Sequence, residues 1–146
     1  MYYTLRKANV DDLDFLMNLR RITMDNYLLN DGVDISDSEH LFRIKHNFED
    51  AQVIEINNTS VGLFKASFIP EKSQWYIFQI QILPLYQGLG IGREIITSLC
   101  EKANKEKLSV GLSVLKSNPA KSLYDSLGFR VIESNSSEYE MVYDIS

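Results

Sequence analysis

One cysteine, three prolines and one tryptophan are all that this 146-residue chain has of those residues. A lone Cys100 excludes an internal disulfide and fits a reducing compartment. No Pro/Gly/Ser-rich tract or internal repeat marks a linker, so one domain over residues 1–146 is expected. Basic charge is not in excess: 15 Lys and Arg face 20 Asp and Glu, for a net charge of −5. That balance argues against a general nucleic-acid surface. No apolar run approaches the roughly 18 residues of a membrane span, and the N-terminus "MYYTLRKANVDDLDF" has no apolar leader. A cytoplasmic protein is expected. The only histidines, His40 and His46, are six positions apart on a charged segment, which is not a one-face metal spacing; both read as surface residues, with no metal.

What is present is 45% hydrophobic and 24% charged, a globular balance. A chain of this length buries about 68–70% of its unfolded surface. "YYTLRKA" reads as a strand and "NVDDLDFLMNLRRITMDNYLL" as a helix capped by Asn9, with Leu13, Leu16, Met17, Met24, Tyr27 and Leu28 on one face. The capping-box pattern "SDSE" at residues 36–39 opens a second helix that runs to about Phe48. "AQVIEINNTSVGLFKASF" reads as a hairpin turning at Asn57-Asn58, with a bulge near Gly62. "SQWYIFQIQIL" is a strong strand that Pro84 stops. A helix with Ile91, Ile95, Ile96, Leu99 and Ala103 on one face, and Cys100 at that face's edge, spans residues 90–106. Then come the strand "LSVGLSVL", the short helix "PAKSLYDSL" opened by Pro119, and the strands "FRVIES" and "EYEMVYDI". The order β-α-α-β-β-β-α-β-α-β-β predicts an α/β fold, a mixed sheet flanked by helices.

The densest signal is "LPLYQGLGIGREII", with Gly88, Gly90 and Gly92 between a strand and a helix N-terminus. Exposed N–H groups and the helix dipole favour an anion there. A tight turn without a ligand is the plain alternative. A triphosphate loop would need Gly-Lys-Ser/Thr, but Arg93 and Glu94 follow Gly92, and the dinucleotide spacing Gly-x-Gly-x-x-Gly is not met. The pattern Gln87-x-x-Gly90-x-Gly92, together with "SNPAKSLYDSLGFRVIE" and the opening "LRKANVDDLDFL" with Arg6, Ala8 and Asp12, resembles the GNAT superfamily of acyl-CoA-dependent N-acyltransferases over essentially the whole chain.

The resemblance implies a mostly antiparallel twisted sheet and acetyl-CoA as acetyl donor, with Gln87, Gly88, Leu89, Gly90, Ile91, Gly92 and Arg93 around its pyrophosphate. It implies that Ile80, Gln81 and Ile82 run beside the pantetheine. Asn118 joins them, although the usual seven-residue spacing back from Tyr124 falls on Ser117 instead. Tyr124 is then the acid that protonates the leaving thiolate. The implied function is transfer of an acetyl group to a primary amine; a non-catalytic acyl-CoA sensor on the same fold is the alternative. A Glu that many members carry as base is missing, since residues 73–83 offer only Gln74, Gln79 and Gln81; Asp31, Asp34 and Glu39 are distant substitutes, and no base is assigned. Arg20 falls in the apolar stripe of the first helix and needs a partner there. It is paired internally with an acidic side chain, or its aliphatic stem carries the charge out to water, or it points into the acceptor site, where its fork would take a carboxylate and Tyr27 would line the rim with residues 31–34. The expected partners are acetyl-CoA and an amine, with a homodimer open and neither nucleic acid nor membrane expected.

Overall fold

The computed structural model describes residues 2–144. Its strands form one seven-stranded sheet in the order β1-β2-β3-β4-β5-β7-β6. These are β1 (Thr4–Lys7), β2 (Ala51–Ile56), β3 (Thr59–Ile69), β4 (Gln74–Ile82), β5 (Ser109–Leu115), β6 (Arg130–Ser134) and β7 (Glu138–Tyr143). The helices are α1 (Leu13–Asn30), α2 (Asp37–Lys45), α3 (Ile91–Glu106) and α4 (Ala120–Ser126). The element order is the expected one, and every neighbouring pair is antiparallel except β4 with β5.

Local chemistry explains the boundaries. Asn9 caps a short 3-10 turn in a reciprocal capping box with Asp12, and α1 follows. Arg6 grips Asp12 at 2.7 Å and Glu55 at 2.9 Å, which ties β1 to that turn and to β2. Ser36 caps α2 as its pattern predicts, but the helix stops at Lys45, short of Phe48. Asn57 and Asn58 both take positive φ in the hairpin turn. The register between β2 and β3 slips beside Gly62. A Cβ on Gly62 would lie 2.5 Å from the Gln81 carbonyl oxygen, so this glycine lets β3 and β4 close up.

Each face of the sheet has its own core. Ile91, Ile95, Ile96, Leu99, Cys100 and Ala103 of α3 pack with Tyr124 and Phe129 on one face. Burial and the nearby Glu101 push the Cys100 thiol up to about 12, consistent with an inert core residue. On the other face Leu16 and Leu19 of α1 and Ile44 of α2 meet Val53 and Leu63. No helix among the described residues is long and apolar enough to cross a membrane.

The α1–α2 face also buries charge. Lys65 is fully buried, and its ammonium donates to the carbonyls of Arg43 at 2.9 Å, Ile44 at 3.1 Å and His46. These are C-terminal carbonyls of α2, which no further turn of helix can satisfy. Lys65 thereby does the work of a C-cap from across the sheet, and a cation suits that end of the dipole. We expect Lys65→Met to cost about 2–4 kcal/mol, because it leaves buried carbonyls unpaired. Urea denaturation measures this, and an unchanged midpoint would show that the helix end finds other partners.

Candidate active site

The parallel pairing of β4 with β5 runs only from Gln74↔Ser109 to Ile77↔Leu112. Next to its end, β4 carries a bulge: Lys65 faces Gln79 and Ala66 faces Ile77, so Phe78 is the extra residue. Beyond it the two strands separate. Two cavities meet at the opening, of about 470 Å³ and about 610 Å³, and both are lined by Met24, Ile80, Gln81, Asn118 and Tyr124.

The larger cavity contains the glycine loop. Gly88 and Gly90 adopt φ of 76° and 85°, a conformation that side chains resist, and Gly90 is the N-cap of α3. Among the described residues, no group accepts from a backbone N–H of residues 88–93. Gln87 donates to the Ile82 carbonyl at 2.8 Å and holds the loop against the end of β4. Arg93 donates to Ser126 at 3.0 Å at the rim. Leu89 is exposed. Gly92 differs from its neighbours: a Cβ there would make ordinary contact with Ile82 at 3.7 Å.

Asn118 caps the start of α4, accepting from the Ala120 N–H at 2.9 Å. Ser117 donates its hydroxyl to Asp31 at 2.9 Å instead, so Asn118 rather than Ser117 faces the cavities. Tyr124 is buried at the junction, and its hydroxyl makes no hydrogen bond to any described residue. Burial pushes this phenol up to about 12, so it stays protonated at neutral pH.

The smaller cavity holds Arg20, Gln79 and Gln81 together with Tyr76, Ser113 and Glu138. Tyr27 lines the larger cavity and does not join Arg20. His40, read from its charged surroundings as a surface residue, is fully buried. Its Nδ1 accepts from Arg20 Nε at 2.9 Å, and its Nε2 donates to Asp25 at 2.7 Å. The buried arginine of α1 needs a neutral acceptor on α2, and the His40 ring supplies it with Asp25 fixing the tautomer.

The three distant substitutes for a base have other partners. Asp31 holds Ser117, Asp34 accepts from Ser36 at 2.9 Å, and Glu39 pairs with Arg43 at 2.9 Å. A carboxylate that sequence reasoning missed sits on β7. Glu140 accepts from Ser113 at 2.5 Å and from Tyr76 at 3.0 Å, and both of those residues line the smaller cavity. Burial, with the Glu140 carboxylate behind it, pushes the Tyr76 phenol up. Only the register Ser113↔Glu140 makes the cluster, and no local motif announces it.

A profile described as the Acetyltransferase (GNAT) family matches residues 16–129, and the chain belongs to that family. It is 29% identical over 84 residues to the [Ribosomal protein bS18]-alanine N-acetyltransferase of Haemophilus influenzae, a match that covers 57% of this chain and 56% of that protein. The matched part is thus little more than half the length of that relative. Its fold resembles the PaiA N-acetyltransferase of Thermoplasma acidophilum solved with coenzyme A, with a TM-score of 0.72, 18% identity and 99% of each chain covered. It also resembles the ribosomal-protein-S18-alanine N-acetyltransferase of Escherichia coli, with a TM-score of 0.71, 19% identity, 99% of this chain and 95% of that one.

The two kinds of glycine predict different outcomes in a calorimetric titration with coenzyme A. Gly90→Val forces a branched residue into positive φ and should weaken binding at least about tenfold, as strain of about 1–3 kcal/mol would. Gly92→Ala should leave affinity near that of the parent. Equal affinities for Gly90→Val and the parent, both folded, would remove the loop from the binding site.

Proposed function

We propose that this protein is an acetyl-CoA-dependent N-acetyltransferase acting on a primary amine. The observation that carries the reading is the run of unpartnered N–H groups at residues 88–93, opening onto a split sheet with the free hydroxyl of Tyr124 at its centre. The loop suits a pyrophosphate, because it offers backbone donors and a helix N-terminus without side chains in the way. The β4 edge at Ile80, Gln81 and Ile82 has lost β5 as a partner and can pair with the amides of a pantetheine arm. An N–H on the same edge is suited to hold the thioester oxygen as it gains charge.

The acceptor nitrogen attacks the thioester carbonyl from the smaller cavity. A C–N bond forms, the tetrahedral oxyanion collapses, and the C–S bond breaks. Tyr124 gives its proton to the departing thiolate. In water a phenol at about 12 would be a poor acid for a thiol near 8.5, a gap of about 3.5 units or 5 kcal/mol. The thiolate leaves inside the same apolar pocket, however, and desolvation raises its proton affinity as well. The amine's proton passes through the Ser113 or Tyr76 hydroxyl to Glu140, which both hydroxyls already contact.

Two variants test the proton route. Tyr124→Phe keeps the ring and should lower kcat by about 10²–10⁴-fold with little change in acetyl-CoA affinity. Parental turnover would return Tyr124 to the core. Glu140→Gln should lower kcat/KM at neutral pH, and the deficit should shrink toward pH ~10, where a primary amine loses its proton unaided. A deficit that is constant with pH would mean that Glu140 only supports the strand. Absence of any amine-dependent turnover by the wild-type protein, with coenzyme A binding retained, would favour a sensor instead.

A further inference from the structure

The smaller cavity is lined by buried hydrogen-bonding groups that nothing among the described residues uses. At the α1–α2 end, Arg20 is only 8% exposed. Its Nε is spent on His40, yet neither terminal nitrogen of the guanidinium bonds to the protein, and no carboxylate among the described residues pairs with it directly. The acidic groups nearest in charge terms are committed elsewhere, Asp25 to His40 and Glu39 to Arg43. In the lining of the same cavity, Gln79 is 5% exposed with both amide atoms unbonded, and Gln81 is 7% exposed with its Oε1 unbonded. A buried amide without partners costs about 1–3 kcal/mol. Two on one strand, in a cavity that also holds a guanidinium with unused terminal donors, call for a polar partner.

The charges are also arranged by end. Arg20 and Arg43 lie on the helical side, whereas Glu138 lines the opposite side, with Glu140 behind Ser113 and Tyr76. Gln81, whose oxygen needs a donor, borders both cavities and therefore lies toward the reacting centre.

Accepting the acetyltransferase reading, on which this step rests, we infer that the acceptor is an amine that also carries a carboxylate, and that Arg20 and Gln79 bind that carboxylate. Arg20 offers two parallel N–H donors and Gln79 Nε2 a third. The Gln81 oxygen receives an N–H of the attacking amine. Glu138 and Glu140 favour the ammonium form as it enters, and Arg20 repels a second positive charge. The His40–Asp25 relay holds the guanidinium plane in one orientation, as a bidentate contact requires. Two sources present such a carboxylate: a free amino acid, through its α-carboxylate, and a peptide N-terminus with Asp or Glu as its first residue.

The test is a steady-state acetyl-CoA assay of the whole protein. It uses the twenty free amino acids, their carboxamides, amidated peptides beginning Ala, Asp or Glu, and a polyamine. Expected is one class of carboxylate-bearing acceptor whose kcat/KM exceeds that of its uncharged counterpart by at least about a hundredfold, because a site built for a polar group rejects the analogue that lacks it. Preference for an acid over its carboxamide assigns the α-carboxylate, and preference for an acidic over an alanine N-terminus assigns the side chain. Either outcome supports the inference. Arg20→Met should collapse the ratio toward unity and leave the KM for acetyl-CoA unchanged. Should that buried substitution fail to fold, Gln79→Met is expected to raise the acceptor KM at least about tenfold. Efficient acetylation of carboxamides, alanine peptides or the polyamine, with no gain from a carboxylate, overturns the subsite and leaves the acetyltransferase reading standing. No acetylation of any amine overturns both.

Discussion

The separation of β4 from β5 is the constraint on which the candidate site depends. The strands are bonded as far as Ile77 and Leu112, and the bulge at Phe78 turns β4 away. A strand edge inside a sheet is costly to leave open, since its N–H and C=O groups have neither water nor a partner strand. Here the open edge is where two cavities meet, with the glycine loop at one mouth and Arg20 in the other. β3 clamps the strand from behind: Gly62 lets it sit against the Gln81 carbonyl, and a methyl group at that point would push β4 back toward the gap. In the proposed function, donor contacts, thioester and acceptor share this one short piece of backbone, and Tyr124 of α4 lines both cavities beside it.

The α1–α2 wall of the smaller cavity includes buried polar groups as well as apolar side chains. Lys65 bonds the last carbonyls of α2, and burial with the nearby Arg20 holds its ammonium down at about 8. Arg20, pulled down to about 10 mainly by burial, leans on His40. Buried charges of this kind rarely add stability over apolar residues, but breaking one member of the set is expensive. The set fixes the angle between α1 and α2, and with it the wall that Phe42, Arg43 and His46 present to the cavity. Strain-free alternatives existed for a purely structural wall; two glutamines with unspent amide atoms are hard to explain without a ligand.

Much of the fold is legible in the chain because its signals are local. Periodicity, the Asn9 and Ser36 caps, the Asn57-Asn58 turn and the glycine loop each act within a few residues, and every helix and strand falls in the expected order. The stripe that put Arg20 among apolar neighbours holds in part: Leu16 and Leu28 are buried with it, Leu13, Met17, Met24 and Tyr27 are half-buried, and Leu19, which the stripe left out, is buried as well. What sequence reasoning missed is set by contacts between distant segments. His40 looks solvated among charged neighbours until α2 packs on α1. Glu140 enters the cluster only through strand register, and Lys65 finds the end of α2 from 19 residues or more away in the chain. Tyr27 lies on the helical stripe but lines the larger cavity, whereas Leu28, one residue further on, lines the smaller one with Arg20. That Asn118 and not Ser117 lines the cavities follows from a contact 86 residues away in the chain, since Asp31 holds the serine.

The central claim is that a pyrophosphate-bearing thioester donor enters the β4–β5 split from the glycine loop. Backbone amide chemical shifts, followed during a titration of the folded protein with coenzyme A, test it directly. The account predicts that the largest changes fall on residues 88–93 and on the β4 edge at residues 78–82, while the far strands β1 and β6 stay still. Saturable changes that left the loop and the β4 edge unmoved would contradict it.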